Sequence, residues 1–176
     1  TFVITTDHGF ITFKKLINPN VLLKQDGLTK TMLGKTLDKS SKVFAMAEGG
    51  ACFVYVLDQA NRDSILAQIS PKLAAIEGVE SIVERKDFER VVGHLLSEQD
   101  EREPDLFLSA KDGYSFTDSL ADTTVINDLP EQKGGHGYLQ THPDMYGCFV
   151  ISGAGVKSGG SIEKIDNRDV APTMAE

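Results

Sequence analysis

Thr1-Phe2-Val3-Ile4-Thr5-Thr6-Asp7-His8-Gly9 opens the chain with an apolar run that ends in a carboxylate, an imidazole and a glycine. Aromatic and β-branched residues followed by a glycine predict a buried strand over 2–6. That strand delivers Asp7 and His8 to its own carboxyl end. Neighbouring side chains on a strand point to opposite faces, so the two reach one ion only where the chain turns, and Gly9 permits the turn. A carboxylate oxygen with a neutral imidazole nitrogen suits zinc or a similar divalent ion. Alone the pair carries little weight, because an Asp at a strand end also caps the next turn. A second element, Gly134-Gly135-His136-Gly137, lies far downstream in a similar setting.

Outward from this strand, both ends of the chain look cut. It opens inside a strand and closes on Asp169-Val170-Ala171-Pro172-Thr173-Met174-Ala175-Glu176, where Pro172 marks the first turn of a helix. The expectation is a piece of a longer protein. Its middle differs in character from its ends. Asn18-Pro19-Asn20 caps a short helix running to about Lys24, and Asp26-Gly27 ends it. Residues 42–47 and 51–57 are apolar runs split by Glu48-Gly49-Gly50, a hairpin signal. Ile65, Leu66, Ile69, Leu73 and Ile76 form one stripe of an amphipathic helix over 61–76. Within it, Pro71 is expected to start a fresh turn.

Gly78 stops that helix. A strand follows over 79–83 and another helix over 87–95. His94 sits at the end of this last helix, where a positive ring suits the dipole. The polar stretch 97–104 reads as a solvated linker. A strand at 105–110, a turn at 111–113, a loop or weak strand at 119–128 and a buried strand at 148–152 complete the series. Apolar strands joined through helices predict an α/β architecture with a partly parallel sheet. In such sheets, sites gather beyond the carboxyl ends of the strands.

The 176 residues suffice for one sizeable domain, or a core with a small insert. A formal net charge of −8 disfavours a nucleic-acid polymer as partner, since phosphate contacts need clustered Lys and Arg. It leaves a small phosphate ester open, because bound metal ions can dominate a local field. No apolar stretch is long enough to span a bilayer. Cys52 and Cys148 show no disulfide or metal spacing and read as two partly buried thiols.

The ordered set Thr6-Asp7-His8-Gly9, Gly134-Gly135-His136-Gly137-Tyr138, Met145, 149–157 and Asp169-Val170-Ala171-Pro172-Thr173 resembles the alkaline phosphatase superfamily. Within it, the type I phosphodiesterase/nucleotide pyrophosphatase branch is the most similar. The resemblance implies part of an alkaline-phosphatase-like sheet sandwiched by helices, built from residues 1–18 and 105–176. A small α+β cap, residues 19–104, interrupts it. It also implies two divalent metal ions, usually zinc, and a small phosphate-ester or phosphonate substrate. Two cations can stabilise both the attacking and the leaving oxygen of an in-line displacement. By this resemblance, Asp7 and His8 bind the ion that activates the nucleophile, and His136 binds the other. Gly134, Gly135 and Gly137 would let the backbone approach closely and place the ring.

The same pattern puts the nucleophilic Thr or Ser and the remaining ligands N-terminal to the Asp-His-Gly motif. No catalytic residue is then expected within this chain. Three donors are also too few for two zinc ions, each of which takes about three protein ligands. The parent is expected to be a hydrolase and the chain alone to be inactive. Cutting such a sheet exposes apolar strand edges, which favours a homo-oligomer.

Other groups have plainer readings. His142, in Thr141-His142-Pro143-Asp144, reads as an exposed loop histidine. Lys157 reads as an exposed lysine, and Asp112 and Tyr114 as parts of a turn. Ser152-Gly153-Ala154-Gly155 lacks the spacing of a phosphate loop. A non-enzymatic alternative makes residues 19–104 a ligand-binding or subunit-contact module, with His8 and His136 serving the core. Sulfatases and cofactor-independent phosphoglycerate mutases share Asp-His-Gly, but the Gly-His-Gly element followed by Met145 fits those branches less well.

Overall fold

The computed structural model describes residues 1–93 and 103–175. His94, the end expected for a helix at Leu95 and residues 97–102 of the expected linker lie outside the described residues. In chain order the elements begin with β1 (Phe2–Thr5), β2 (Ile11–Ile17), α1 (Pro19–Gln25), β3 (Thr31–Met32) and β4 (Thr36–Leu37). Next come β5 (Val43–Glu48), β6 (Ala51–Val56), α2 (Arg62–Ala74), β7 (Val79–Glu84) and α3 (Phe88–Val92). Last are β8 (Leu106–Ala110), β9 (Gly113–Phe116), β10 (Ile126–Gly135), β11 (Phe149–Ser152) and α4 (Val170–Ala175). The fold is thus mixed α/β. Two compact units form: Thr1–Gly9 with Tyr146–Glu176, and Phe10–Met145. This division concerns compactness. The expected partition into 1–18 plus 105–176 and 19–104 concerns insertion into a family core, so the two answer different questions.

The unit Phe10–Met145 holds a four-stranded antiparallel sheet, β5-β6-β8-β7, and a three-stranded sheet, β10-β2-β9. The small pair β3-β4 is its third sheet. β8 lies between two partners and is buried along its whole length, which is why its sequence, Leu106-Phe107-Leu108-Ser109-Ala110, does not alternate. The stripe of α2 is real: Ile65, Ile69 and Leu73 are buried, with Leu66 packed at the edge. Each fully buried aliphatic side chain of this kind is worth about 1.5–3 kcal/mol.

The expected hairpin forms over 43–56, with Glu48 opposite Ala51 across the turn. Asn18 caps α1 by accepting from the Asn20 amide at 3.1 Å. Asn20 is itself fully buried and copies a strand edge. Its amide nitrogen donates to the Ala45 carbonyl at 2.7 Å, and its oxygen accepts from the Ala45 amide at 2.9 Å. A buried side-chain amide satisfied on both atoms costs little.

Three expectations need correction. The strands expected to be buried at 2–6 and 148–152 form as β1 and β11 but are not buried: the two pair only with each other, and Phe2, Ile4 and Val150 are exposed. α2 runs unbroken through Pro71. Its missing N–H falls in the last turn, where only one intrahelical bond is lost. Parallel pairing is also scarcer than the apolar runs suggested. Among the described residues only the β2–β9 ladder is parallel, because the other neighbours are joined by tight turns or return antiparallel.

The unit of Thr1–Gly9 and Tyr146–Glu176 is built on β1 paired antiparallel with β11, with Ile4 opposite Val150. α4 starts at Val170, two residues before Pro172, after a 3-10 turn over Asn167–Asp169. Among the described residues no helix is long and apolar enough to cross a membrane.

Candidate functional site

Asp7 and His8 stand where the β1–β11 ladder stops. Its last tie is a Thr6 amide donating to the Cys148 carbonyl at 3.1 Å, answered by the Cys148 amide donating to Thr6 Oγ1 at 2.9 Å. The chain then turns. The His8 amide donates to Asp7 Oδ1 at 3.0 Å, and Asn167 Nδ2 holds the Asp7 carbonyl at 2.7 Å. This turn cancels the opposite-face rule and brings the two side chains together: His8 Nε2 lies 3.6 Å from Asp7 Oδ2.

The other ring nitrogen explains the orientation. His8 Nδ1 is 2.8 Å from the Gly9 carbonyl, so in the neutral ring Nδ1 carries the proton and donates it. Nε2 is then a lone pair facing a carboxylate oxygen. A backbone carbonyl on one ring nitrogen is the usual device for presenting the other to a metal. Two ligands on a tetrahedral zinc at about 2.1 Å sit about 3.4 Å apart. The donor chemistry of the pair therefore fits a divalent cation. Asp7 is 86% exposed and His8 28%, so a cation could reach both.

His136 belongs to the other unit and follows β10 directly. The β10–β2 ladder ends at Gly135 opposite Ile11, leaving His136 just past the sheet. Its ring meets Phe10 edge-to-face, with centroids 6.0 Å apart. Its backbone is held by the β5–β6 turn, where the Gly50 amide donates to the His136 carbonyl at 2.7 Å. A Cβ on Gly49 would stand 2.2 Å from that same carbonyl oxygen. Gly137 has φ +87°, and a Cβ there would stand 2.1 Å from the Glu48 carbonyl oxygen. Gly135 is backed by Phe13, whereas Gly134 has room for a side chain. Close approach is thus the reason for Gly135 and Gly137 but not for Gly134. The docking of Glu48-Gly49-Gly50 on His136 is absent from a local reading. Its only trace in the sequence is the second glycine in a turn that needs one.

Tyr138 is buried beneath this turn, and its hydroxyl donates to the Tyr114 carbonyl. Burial pushes its phenol up to about 12. His142 differs from expectation. Its ring is largely covered, Nε2 lies 2.7 Å from Asp112 Oδ1, and Nδ1 is buried without a hydrogen-bond partner. Asp112 is therefore a partner rather than a plain turn residue. Tyr114 is likewise engaged: its hydroxyl donates to Glu77, which also accepts from Lys15 Nζ at 2.8 Å. The thiols are unequal, with Cys52 buried and Cys148 exposed. Burial pushes the Cys52 thiol up and makes it inert. Lys157 is exposed as expected.

Among the described residues no group of three or more His, Cys, Asp and Glu side chains is placed to hold a metal ion. The largest set that the motifs supply within one unit is the pair Asp7–His8.

Two solved structures are similar to the chain. Both are phosphonoacetate hydrolase from Sinorhizobium meliloti 1021. The complex with phosphonoformate is 22% identical, with a TM-score of 0.46 over 78% of this chain and 33% of that one. The complex with phosphonoacetate is 23% identical, with a TM-score of 0.46 over 77% and 32%. The chain thus spans about a third of the length of these proteins. No curated protein matches the chain in sequence. A family profile described as Type I phosphodiesterase / nucleotide pyrophosphatase matches residues 1–139, which include both histidine motifs. By that match the chain belongs to the type I phosphodiesterase/nucleotide pyrophosphatase family.

Proposed function

We propose that the chain is the ligand-bearing part of a two-metal hydrolase of small phosphate esters or phosphonates. Asp7 and His8 hold one divalent ion and His136 the other. Residues 1–18 and 105–176 belong to a sheet sandwiched by helices, and residues 19–104 form an α+β cap. The observation that carries this reading is the orientation of His8: its Nδ1 proton is spent on the Gly9 carbonyl and its Nε2 faces Asp7 Oδ2 at 3.6 Å.

Bound divalent ions would polarise a phosphoryl oxygen and make a hydroxyl or water nucleophilic near neutral pH. The chain's own residues do the holding. Asp7 contributes the negative charge, and its Oδ1 also accepts the His8 amide, which keeps the carboxylate beside the ring. Asn167 fixes the peptide that carries it. Phe10 sets one side of the His136 ring, and the β5–β6 turn sets its backbone. These three donors fall short of what two zinc ions take. The isolated chain is therefore inactive, and further ligands and the nucleophile come from other segments. A second copy of the chain is a further proposed partner, through the exposed face of β1 and β11.

The test is hydrolysis of bis(p-nitrophenyl) phosphate with added zinc. The whole protein should turn over and its His136→Ala variant should lose at least a hundredfold in kcat/KM, while the isolated chain stays silent. Turnover by the isolated chain that His136→Ala abolishes overturns the inactivity. Equal turnover by the whole protein and its His136→Ala variant overturns the assignment.

A further inference from the structure

We infer that the β5–β6 turn, Glu48-Gly49-Gly50, is a positioning element for His136 that couples residues 19–104 to metal affinity. The inference rests on His136 being a metal ligand, as proposed above. The contacts fall on the histidine and on the residues after it. At the residue itself, the Gly50 amide donates to the His136 carbonyl at 2.7 Å, and the backbone of Gly49 comes so near that a Cβ would stand 2.2 Å from that oxygen. Downstream, Gly137 lies against the Glu48 carbonyl, with room for no side chain. Gly50 in turn lies over the Tyr138 ring, where a Cβ would come within 2.3 Å of the ring carbon Cγ.

The turn itself cannot drift. The Gly49 carbonyl accepts from the Phe116 amide at 2.7 Å, and the Gly50 carbonyl accepts from the Ala110 amide at 2.8 Å. The clamp is therefore tied to β8 and β9. Contrast sharpens the point. Gly27 and Gly93 also have positive φ, at +71° and +69°, but nothing stands within 4 Å of a Cβ there. At those sites glycine serves only the turn. At Gly49, with φ +64°, it serves the turn and the approach to His136.

With its backbone fixed, the imidazole keeps only two side-chain torsions, and Phe10 restricts these from one side. A ligand held in place loses less conformational freedom when a cation binds, which raises affinity. Linkage makes this reciprocal: whatever factor the clamp adds to metal affinity, the metal returns to the clamp.

Two measurements on the whole protein test it, with zinc ion as the probe. Calorimetric titration compares the native protein with Gly49→Ala, Gly27→Ala and His136→Ala. Gly27→Ala carries the same left-handed strain without touching His136, so it isolates position from stability. Zinc affinity should fall at least tenfold in Gly49→Ala and stay within twofold in Gly27→Ala. Hydrogen exchange read by mass spectrometry over residues 48–51 of the native protein should slow at least threefold on zinc saturation, and not in His136→Ala. The exchange result decides the matter if Gly49→Ala fails to fold. Native zinc affinity in a folded Gly49→Ala, or exchange at the turn indifferent to zinc, overturns the clamp while His136→Ala still loses the ion. Unchanged zinc binding by His136→Ala overturns the proposed function and the clamp with it.

Discussion

His142 Nε2 lies 2.7 Å from Asp112 Oδ1, and this contact joins the loop after β10 to the turn between β8 and β9. The same ring keeps Nδ1 buried with no hydrogen-bond partner. The pair is thus half satisfied, and its two members are not equivalent. Removing Asp112 leaves Nε2, as well as the buried Nδ1, without a side-chain partner on a ring that is 23% exposed. Removing the imidazole deletes the unsatisfied atom as well and leaves only a carboxylate that is 70% exposed to water. An orphaned buried polar group costs about 1–3 kcal/mol. Asp112→Ala should therefore destabilise by about that much, and His142→Leu by less than about 1 kcal/mol. Urea midpoints of the two variants measure the difference, and a larger loss in His142→Leu would contradict it.

The Tyr138 phenol gives a pH dependence with a definite sign. Burial raises it to about 12 from an ordinary value near 10.0. An acid raised in the folded state is neutral there while the unfolded chain already ionises. The folded state then binds more protons between the two values, so stability is full below pH ~10 and falls as pH rises toward 12. Burial raises Tyr55 in the same sense, so the alkaline loss is shared. Tyr138→Phe should lower stability at pH 8 by about 1 kcal/mol, through the lost bond to the Tyr114 carbonyl. It should also show a shallower decline between pH 9.5 and 11.5 than the native chain. Parallel declines would show that the phenol contributes no pH dependence.

Much of this fold is legible in the sequence because it is local. The Asn18 cap, the Glu48-Gly49-Gly50 turn and the stripe of α2 each need only neighbours along the chain. The turn that joins Asp7 to His8 is legible for the same reason. What escapes a local reading is pairing at a distance. The antiparallel partner of β1 is β11, near the other end of the chain, and no periodicity names it. His142 finds Asp112 thirty residues upstream, so a loop histidine that looks free is covered. The second task of Gly49 and Gly50, to admit His136, is invisible until the strands are laid side by side.

The β1–β11 sheet carries an apolar face that predicts association. Phe2, Ile4 and Val150 are 63%, 48% and 53% exposed. Ile4 and Val150 are direct cross-strand neighbours, so they share one face, and Phe2 joins them by strand alternation. Apolar residues on a short two-stranded sheet invite a second copy. The isolated chain should show concentration-dependent association in analytical ultracentrifugation. Val150→Lys should shift it toward monomer without changing the circular dichroism spectrum. A native chain that stays monomeric at 100 μM would argue against this face as an interface.

Asp7 offers the cleanest separation of charge from shape. Its Oδ1 accepts the His8 amide at 3.0 Å while Oδ2 faces His8 Nε2. Asn keeps an oxygen in the first position, so the turn survives Asp7→Asn. At 86% exposure the side chain also contributes little packing. The change removes one negative charge from the proposed ligand pair and puts an amide where the second oxygen stood, and a carboxylate is a far better zinc ligand than a neutral amide. Zinc affinity of the whole protein should fall at least tenfold in Asp7→Asn, with an unfolding free energy from urea titration within about 0.5 kcal/mol of native. Asp7→Ala should lose the same affinity and also loosen the turn. An Asp7→Asn protein that binds zinc as tightly as the native one would remove the carboxylate from the metal's ligands and leave Asp7 as a cap on the turn after β1.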